Sequence, residues 1–456
     1  MNDYSLLCEA WDFNAMEAVV WRLACFWARS KLKAWLWHLD RKLMRERPAG
    51  LRHVGVRERT LVTRVGEITI KRAYYADQET GEYRYLLDEA LGLPARERAS
   101  PGLKAEVVAE ATQRSFRAAA KATGGSVSHG SVHRWLWQAG AACRRQVEAG
   151  RRRLFGTGRQ IAEAAVQKVK ALFCEADGVI LHLQREARKI IEAKVAIMHV
   201  GWEPRHASSG EFALKDKLVY AAVQGGRQFW ESLTVVAGRC WDLSAVKVIA
   251  GDGADWVKLG LGYFALAVYQ LCRFHLVRRI RDCLKGRALE RVLAARRDPA
   301  RLIKEVQDCV AAALEPEARR GAEGLLGYLL ANRAGLEDYR GRVNVEGVEL
   351  RGLGAIESNV DKIVSVRMKK RGASWTIEGA RNMLAVLSFH ANGTLAAVTQ
   401  ALWGLSRPEQ EAPPGRRERS TGSPPGVPVV HLPILDTGKG LARLFRRALY
   451  PSTSLL

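Results

Sequence analysis

The stretch Val248-Ile249-Ala250-Gly251-Asp252-Gly253-Ala254-Asp255-Trp256 decides the fold class of this chain. It begins inside a short, nearly apolar run, residues 246–250, which is typical of a strand buried on both faces of a sheet. The run ends at an aspartate between two glycines, and the carboxyl end of a strand is where an α/β sheet presents functional groups. The flanking glycines allow backbone and ligand to approach closely. Taken alone, the stretch is equally compatible with an aspartate that only caps a turn or a helix.

A second carboxylate stands in the middle of another predicted strand. Asp177 lies within Phe173-Cys174-Glu175-Ala176-Asp177-Gly178-Val179-Ile180, where most other positions are apolar. Burying a lone carboxylate is costly unless it is paired or binds a metal, so Asp177 is a candidate for chemistry. The segments that we predict as strands, the first three forming an antiparallel meander, are residues 171–184, 192–200, 217–224, 230–236 and 246–250.

The third acid is best placed at Glu357, which opens a predicted helix. Competing candidates for this place are Glu346, Glu349 and Asp361. One carboxylate in the first strand, one at the end of the fourth and one on a later helix form the RNase H-like arrangement. Such a set suits two Mg²⁺ or Mn²⁺ ions on either side of a scissile phosphate, since Mg²⁺ takes few carboxylates beside water and substrate oxygens. The predicted fold class is therefore α/β, with an RNase H-like mixed sheet.

The amino-terminal third is predicted to be a mainly helical region that contains one β-hairpin. Residues 14–47 predict a long amphipathic helix with a basic face, and residues 58–76 alternate as a hairpin that turns at Gly66-Glu67. Residues 115–123 and 130–138 have helix-turn-helix spacing, with Ser128 as the cap of the second helix, although any helical hairpin can show this spacing. In the DNA-reading interpretation, the side chains that face a major groove are His129, Ser131, His133 and Arg134.

The chain carries a large excess of positive charge. Its 72 Lys and Arg against 48 Asp and Glu give a net charge of +24 and a pI near 10.0. This excess favours a nucleic acid partner, although a basic protein from a GC-rich genome, a ribosomal protein or a membrane-surface protein shows the same balance. The further residues that we expect at DNA, with solvated basic faces as the alternative, are Arg151, Arg152, Arg153, Arg367, Lys369, Lys370, Arg371 and Trp375.

Cysteine usage and hydropathy indicate the compartment. The eight cysteines form no C-x-x-C pair, so a reducing cytoplasm is expected. The apolar stretches around residues 16–27 and 259–272 are too short to span a bilayer, and no membrane association is expected.

Several blocks of the sequence, taken in order, resemble the ISLre-two family of bacterial insertion-sequence transposases. That family is similar to Mutator-like and other DDE transposases. The resemblance covers roughly residues 10–400. The blocks that carry it are Arg72-Ala73-Tyr74-Tyr75-Ala76-Asp77, Ser115-Phe116-Arg117-Ala118-Ala119-Ala120, Glu175-Ala176-Asp177-Gly178, Gly251-Asp252-Gly253-Ala254-Asp255-Trp256, Arg273-Phe274-His275-Leu276, Ile356-Glu357-Ser358-Asn359, Arg367-Met368-Lys369-Lys370-Arg371-Gly372 and Ser374-Trp375.

The resemblance implies DNA cleavage and strand transfer by three acids, which by position are Asp177, Asp252 and Glu357. It implies a helical insertion between the second and third acids, here about residues 276–345. It also implies a C-or-D-x-x-H signature early in that insertion, which Cys272 and His275 occupy as accessory residues. Close relatives usually have Asp where this chain has Cys272, so the role of that position is left open.

The sequence therefore predicts a transposase that binds double-stranded DNA as a homodimer or higher oligomer in the cytoplasm, at the nucleoid. Two alternatives stay open: a non-catalytic, sequence-specific DNA-binding regulator, and a structure-specific RNase H-like nuclease. The predicted segments are 1–98, with a helix and a β-hairpin; 99–160, helical and helix-turn-helix-like; 161–405, the catalytic core with its insertion; and 406–456, a flexible linker and tail.

Overall fold

A long helix and a three-stranded antiparallel sheet form the amino-terminal part of the chain. The computed structural model describes residues 12–123, 126–158, 167–206, 210–264 and 266–404, apart from the side chain of Arg371. Helix α1 covers Phe13–Arg45, close to the predicted bounds, but Val20, Trp27 and Trp35 of the predicted apolar stripe are exposed. Both carboxylate oxygens of the buried Asp40 lie within hydrogen-bonding distance of the Ala73 N–H, which anchors the helix to the sheet. The sheet elements and the short helix after them are β1 (Leu51–Thr63), β2 (Gly66–Asp77), β3 (Tyr83–Arg84) and α2 (Leu86–Ala90).

The hairpin of β1 and β2 is longer than predicted and turns two residues earlier. Thr63 pairs with Gly66, so the turn consists of Arg64 and Val65 rather than Gly66-Glu67. The Thr63 hydroxyl donates to the Gly66 carbonyl at 2.7 Å and accepts from the Val65 N–H at 3.3 Å. Gly66 has a φ of +107°, a conformation that favours glycine, and therefore stands just after the turn.

Three helices follow, each begun by a serine cap. They are α3 (Pro101–Gln113), α4 (Phe116–Ala122) and α5 (His129–Arg151). The hydroxyls of Ser100, Ser115 and Ser128 each accept a hydrogen bond from the N–H three residues later, which satisfies a helix-end donor. The first helix and the Ser128 cap therefore lie where predicted, whereas the second helix runs to Arg151, well beyond its predicted end at residue 138.

A mixed five-stranded sheet forms the centre of the molecule. Its order is β10-β9-β4-β5-β8, with β5 antiparallel to β4 and β8, and β9 parallel to β4 and β10. A two-stranded ribbon of β6 and β7 projects from it. The strands are β4 (Leu172–His182), β5 (Ile190–His199), β6 (Gly201–Pro204), β7 (Phe212–Lys215), β8 (Leu218–Ala222), β9 (Val246–Gly251) and β10 (Val268–Leu271).

Two secondary-structure predictions in this region are wrong. Residues 230–236 were expected to form a strand, but they belong to helix α6, Gly226–Ala237. Its fully buried Phe229, Trp230 and Leu233 recur at helical spacing and cover the sheet. The expected all-helical stretch after residue 251 contains strand β10, a four-residue, mainly apolar run whose periodicity does not distinguish strand from helix.

The predicted insertion is a set of four helices between β10 and the third acid.

Among the helices of the described residues, none has both the length and the apolar character needed to cross a membrane. The predicted tail, residues 406–456, lies outside the described residues, all of which belong to one compact unit that ends at Ser406. From Asp255 onward the helices are α7 (Asp255–Lys258), α8 (Arg273–Cys283), α9 (Gly286–Ala295), α10 (Pro299–Ala312), α11 (Pro316–Ala331), α12 (Ala355–Asn359), α13 (Val366–Met368), α14 (Ile377–Ala391) and α15 (Leu395–Trp403).

Helix α5 packs directly against α14, which joins the helix-turn-helix region to the central sheet. Gly140 of α5 faces Asn382 of α14 so closely that a Cβ atom at Gly140 would lie 2.5 Å from the Asn382 carbonyl oxygen. Arg144, one turn later, forms an ion pair with Glu378 and donates to the Asn382 side chain. The two helices are therefore held at a fixed distance and register.

We expect Gly140→Ala to lower the free energy of unfolding by about 1–3 kcal/mol, because the added methyl group would meet backbone atoms that cannot yield. The matched control is Gly130→Ala in the same helix, where the nearest atom would be 3.8 Å away. That change should be neutral or stabilise by up to about 1 kcal/mol. Urea unfolding of the three proteins measures both effects, and equal stabilities would contradict the close packing.

Candidate functional site

Asp177 lies in the middle of β4, at the centre of the sheet. Its side chain is 10% exposed, and its Oδ1 accepts a hydrogen bond from the Gly178 N–H at 2.8 Å. The parallel pairing of β4 and β9 places Glu175 beside Ala250. Asp177 and Asp252 follow two residues later on the two neighbouring chain segments. The pairing therefore places these two aspartates side by side at the carboxyl end of β9.

The loop that carries Asp252 is held by helix α11 of the insertion. Asp252 Oδ1 accepts a hydrogen bond from the Ala254 N–H at 3.0 Å and closes the turn after β9. The phenol of Tyr328 donates to the Asp252 carbonyl at 2.8 Å. Gly253 has a φ of +100°, and a Cβ atom there would lie 2.9 Å from the Asn332 side chain. Asp252 therefore caps a turn, as the sequence allowed, and also adjoins Asp177.

Glu357 is presented by the first turn of α12, and a buried carboxylate on β4 holds that turn. Glu175 is 1% exposed, and its Oε2 accepts from the Gly354 N–H at 2.7 Å and from the Ile356 N–H at 3.2 Å. The free N–H groups at a helix start favour a carboxylate there. Glu175 and Asp177 lie on the same face of β4 because strand side chains alternate. One strand therefore supplies one acid and positions another.

Glu175 is a site residue that the sequence analysis did not single out. The signal was available, because Glu175 is a second acid in the same mainly apolar strand as Asp177. The other candidates for the third acid lie elsewhere. Glu349 and Asp361 form ion pairs with neighbouring basic residues, at 2.7 and 2.9 Å, and Glu346 is exposed on a loop.

Two further side chains reach the acids from the start of α8. Cys272 precedes the helix and His275 lies in its first turn, so the spacing of three places both on one side. His275 Nδ1 lies 3.1 Å from Glu357 Oε1, and His275 Nε2 lies 3.7 Å from Asp177 Oδ1. Cys272 is buried, and its Sγ lies 3.9 Å from Glu357 Oε1. The structure therefore brings both accessory residues to the acids.

The negative charges of the cluster act on one another. Burial raises the pKa of Asp177 to about 6; the charges of Glu357 and Asp252 add to this shift, and His275 opposes it. Burial also raises the pKa of Glu357. Within the described part of the chain, no Lys or Arg forms an ion pair with any of the three acids. Carboxylate oxygens without basic partners are the donors that hard divalent cations prefer, so these residues fit Mg²⁺ or Mn²⁺.

The residues predicted to face a major groove lie together at the start of α5. His129, His133 and Arg134 are exposed, and Ser131 is half-buried. The Ser131 N–H donates to the Ser128 hydroxyl at 3.2 Å, which fixes the first turn. The four side chains therefore share one end of a long helix, and their contact with DNA stays a prediction.

The arginine run after α5 divides into packed and exposed side chains. Arg151 forms ion pairs with Glu148 at 2.8 Å and with Glu231 of α6 at 2.7 Å. Arg152 also pairs with Glu148, whereas Arg153 is exposed. Arg151 therefore ties α5 to α6, and the contact of these arginines with DNA stays a prediction.

Arg367 and Trp375 pack against other groups of the protein. The Arg367 guanidinium lies over the rings of Phe116 and Trp375, at 5.1 and 5.2 Å, and donates to the Ala111 carbonyl at 2.7 Å. Burial lowers the pKa of Arg367 to about 10. Trp375 is 8% exposed, and its indole N–H donates to the Met368 carbonyl at 2.8 Å. Contact of Arg367 and Trp375 with DNA stays a prediction.

The lysines near Arg367 are exposed. Lys369 lies at the surface, and Lys370 pairs with Asp361 at 2.9 Å while keeping 55% of its side chain exposed. The side chain of Arg371 lies outside the described residues. Contact of the two lysines with phosphates stays a prediction.

We expect Asp177→Asn to stabilise the metal-free protein at pH 7 by up to about 3 kcal/mol. The folded-state pKa of Asp177, about 6, is above the ordinary value of 3.8, so the folded state binds the proton more tightly. Stability therefore falls as pH rises from about 4 to 6, and the loss is fully present above pH 6. Asparagine keeps the oxygen that accepts from Gly178 and removes the charge.

Thermal unfolding in a chelator checks this stabilisation, with Asp255→Asn as the control because the Asp255 side chain is fully exposed. Destabilisation by Asp177→Asn would mean that the acid is a structural ion-pair partner.

Comparison with known proteins places the chain in a family. The sequence model described as "Uncharacterised protein family (UPF0236)" matches residues 6–403. One similar protein, a UPF0236 protein of Caldanaerobacter subterraneus, is 25% identical over 413 residues, which cover 88% of this chain and 82% of the relative. Another from the same organism, 24% identical, has a name that joins eleven locus names. A UPF0236 protein in the vanSb 3′ region of Streptococcus gallolyticus is 27% identical over 346 residues, 72% of this chain and 71% of the relative. The chain therefore belongs to the UPF0236 family.

Proposed function

We propose that this protein is a DDE transposase, which cuts DNA at the ends of a mobile element and transfers the freed strand to target DNA. The observation that carries the proposal is the convergence of Asp177, Asp252 and Glu357. These acids are 75 and 105 residues apart in the chain, yet the charges of Glu357 and Asp252 both raise the pKa of Asp177. Structural acids pair with basic residues, whereas in the described part of the chain His275 is the sole basic partner of Asp177 and Glu357, and Asp252 forms no ion pair.

The position of the acids in the sheet supports an RNase H-like catalytic core. In chain order, Asp177 lies on the first strand of the five-stranded sheet, and Asp252 follows the fourth. Glu357 lies on a helix after the four-helix insertion. Strand, strand end and later helix are the places expected of the acids in that fold. The mixed sheet, with three antiparallel strands followed by two parallel ones, agrees with this reading.

The side chains of the site have distinct roles in the proposed reaction. Two Mg²⁺ or Mn²⁺ ions bound to the acids would activate the attacking oxygen and stabilise the leaving oxygen. Asp177 and Glu357 have raised pKa values and must lose their protons before they bind a cation. Glu175 positions Glu357 through the first turn of α12. His275, with one ring nitrogen towards Asp177 and the other towards Glu357, positions these two carboxylates.

The proposal also includes sequence reading by the amino-terminal region. The exposed side chains at the start of α5 have the placement of a recognition helix in a major groove. The net charge of +24 suits association with a polyanion. The relative whose name joins eleven locus names supports a mobile element, because an element that copies or moves itself leaves many copies in one genome. The resemblance to insertion-sequence transposases supports the same function.

The test is cleavage of labelled DNA that carries the sequences flanking the coding region, with Mg²⁺ or Mn²⁺. We expect nicking at the element end by the wild-type protein. Asp252→Ala should lower the rate by at least about 100-fold, because metal-assisted charge stabilisation is worth several kcal/mol. The matched control is Asp255→Ala, three residues away in the same motif, whose fully exposed side chain should be dispensable. Gel-shift measurements should show that both variants still bind the DNA.

Each other outcome points to a different function. Tight, sequence-specific binding without cutting under either metal would indicate a regulator. Cutting of branched DNA without preference for the flanking sequence would indicate a structure-specific nuclease. Equal loss of cutting in both variants would remove the special role of Asp252.

A further inference from the structure

Cys272, His275 and Glu357 place a sulfur, a nitrogen and an oxygen ligand around one point. Their ligand atoms all lie within 4.8 Å of one another. The Sγ to Oε1 distance is 3.9 Å, and the Nδ1 to Oε1 distance is 3.1 Å. A thiol is a poor ligand for Mg²⁺, whereas sulfur, imidazole and carboxylate together are typical of zinc. We propose that this cluster is a zinc-binding site. It differs in chemistry from the site formed by the three carboxylates, Asp177, Asp252 and Glu357, but shares Glu357 with it.

Two of the three separations fit a tetrahedral zinc ion, and the remaining one, from sulfur to nitrogen, is at most 4.8 Å. Zinc bonds of about 2.3 Å to sulfur and about 2.0 Å to nitrogen and oxygen put the sulfur about 3.5 Å and the nitrogen about 3.3 Å from the oxygen. The observed separations differ from these by a few tenths of an ångström. Three protein ligands leave a fourth position for water, as in zinc sites that exchange ligands.

The surroundings hold two of the ligands in place. The Cys272 N–H donates to the Gly251 carbonyl at 2.8 Å, which fixes the cysteine to the end of β9. With Nδ1 on the metal, the His275 Nε2 carries its proton towards Asp177, 3.7 Å away. Zinc-bound histidines usually face a carboxylate in this way, which sets the tautomer and the ring orientation.

A zinc ion at this cluster would occupy Glu357 and orient His275 towards Asp177. If the proposed function holds, zinc therefore inhibits metal-dependent cleavage, and Mg²⁺ competes with it for Glu357. Zinc binding itself needs neither DNA nor cleavage, so it is tested separately from the proposed function.

The test titrates Co²⁺ into the full-length, reduced protein and follows the thiolate-to-cobalt charge-transfer absorption, then displaces Co²⁺ with Zn²⁺. We expect one equivalent to bind with this absorption. Cys272→Ser, which keeps the size of the side chain, should abolish the absorption and weaken zinc binding by more than about 100-fold, since even partners outside the ligand set are worth about 10- to 100-fold. The matched control, Cys283→Ser at the other end of α8, should leave both unchanged.

No thiolate absorption in the wild-type protein, or one that survives in Cys272→Ser, would overturn the zinc site. Circular dichroism of each variant confirms that it is folded. Cleavage that fails in Mg²⁺ while the cobalt signal is present would count against the proposed function alone.

A second, independent observation concerns helix α1. One face of this helix packs on the hairpin through Leu32, Leu36, Leu39 and Leu43. The opposite face is exposed and apolar, although a helix that is apolar on both sides is normally buried on both. Phe13, Val20, Trp27 and Ala34 recur there every seven residues, the spacing of a seam between helices. Flanking exposed residues are Met16, Trp21, Phe26, Trp35 and Trp37.

The size of this face approaches one side of a stable dimer. Each aromatic side chain contributes about 150–250 Å² when buried, and Phe13, Phe26, Trp27 and Trp37, on or beside the seam, are between 49% and 77% exposed. They therefore offer roughly 400–600 Å², and the exposed Met16 and Val20 extend the face towards the roughly 800 Å² that each partner buries in a standard interface. We infer that α1 of a second copy of this chain covers the face.

The charges beside the seam favour an antiparallel pairing. Glu17 and Lys31 both lie on the same flank of the seam, and both are exposed. An antiparallel arrangement about Ala24 places Glu17 of each copy across from Lys31 of the other. A two-fold axis then repeats the contact, as in closed homodimers.

Sedimentation equilibrium of the full-length protein without DNA tests this interface. We expect a dimer in the wild type, weakened on the order of 100-fold by Trp27→Glu, since buried tryptophans dominate interfaces and each dimer loses two. Glu17→Lys should also weaken the dimer, and Glu17→Lys with Lys31→Glu should restore it. The control is Leu314→Glu, at a 96% exposed leucine outside α1, which should leave the dimer intact.

A monomeric wild type, or a dimer unaffected by Trp27→Glu, would overturn the interface. A dimer that the double charge exchange does not restore would overturn the antiparallel pairing.

Discussion

Mutual repulsion among buried carboxylates is the constraint that shapes the centre of this molecule. Burial raises the pKa values of Asp177 and Glu357. The charges of the neighbouring carboxylates raise them further, Glu357 and Asp252 acting on Asp177, and Asp252 on Glu357. The fold holds them together by other means. The parallel pairing of β4 with β9 aligns the two aspartates, and Glu175 fixes the turn that presents Glu357. Helix α11 fixes the Asp252 loop through Tyr328. The central sheet therefore aligns the two aspartates and, through Glu175, holds the turn of Glu357, while the helical insertion holds the loop of Asp252.

The acids and most of the sheet could be predicted from the sequence because their signals are local. A buried strand that ends at Gly251-Asp252-Gly253, and a lone acid among apolar residues at Asp177, are visible without knowledge of the fold. Strand β10 was mispredicted because a four-residue segment has no clear period, and helix α6 because the predicted segment, 230–236, leaves out its first turn and so hides the helical spacing. Whether the fold is RNase H-like and the acids are catalytic is still a proposal, and the match to the UPF0236 family leaves both open.

The role of each basic residue could not be predicted from the sequence because it depends on distant partners. Arg151 pairs with Glu231, 80 residues away, and Arg367 donates to Ala111, 256 residues away. Only the folded chain brings these groups together. Arg134 and Lys369, by contrast, are exposed. Charge composition therefore predicts the class of partner, and only the structure separates surface cations from those that hold helices together.

If the proposed function holds, the packing of α5 on α14 has a geometric consequence for how far from the sequence it reads the protein cuts DNA. Helix α5 is 23 residues long, or about 35 Å, which is close to one turn of B-form DNA. Its first turns carry the exposed side chains, and Gly140 locks its middle onto the helices of the central sheet. Because α5 is one continuous helix from His129 to Arg151, it keeps a fixed distance between its exposed first turns and the central sheet. The number of base pairs between the sequence read and the bond cut would then be set by the protein and would be the same at every DNA end that it processes.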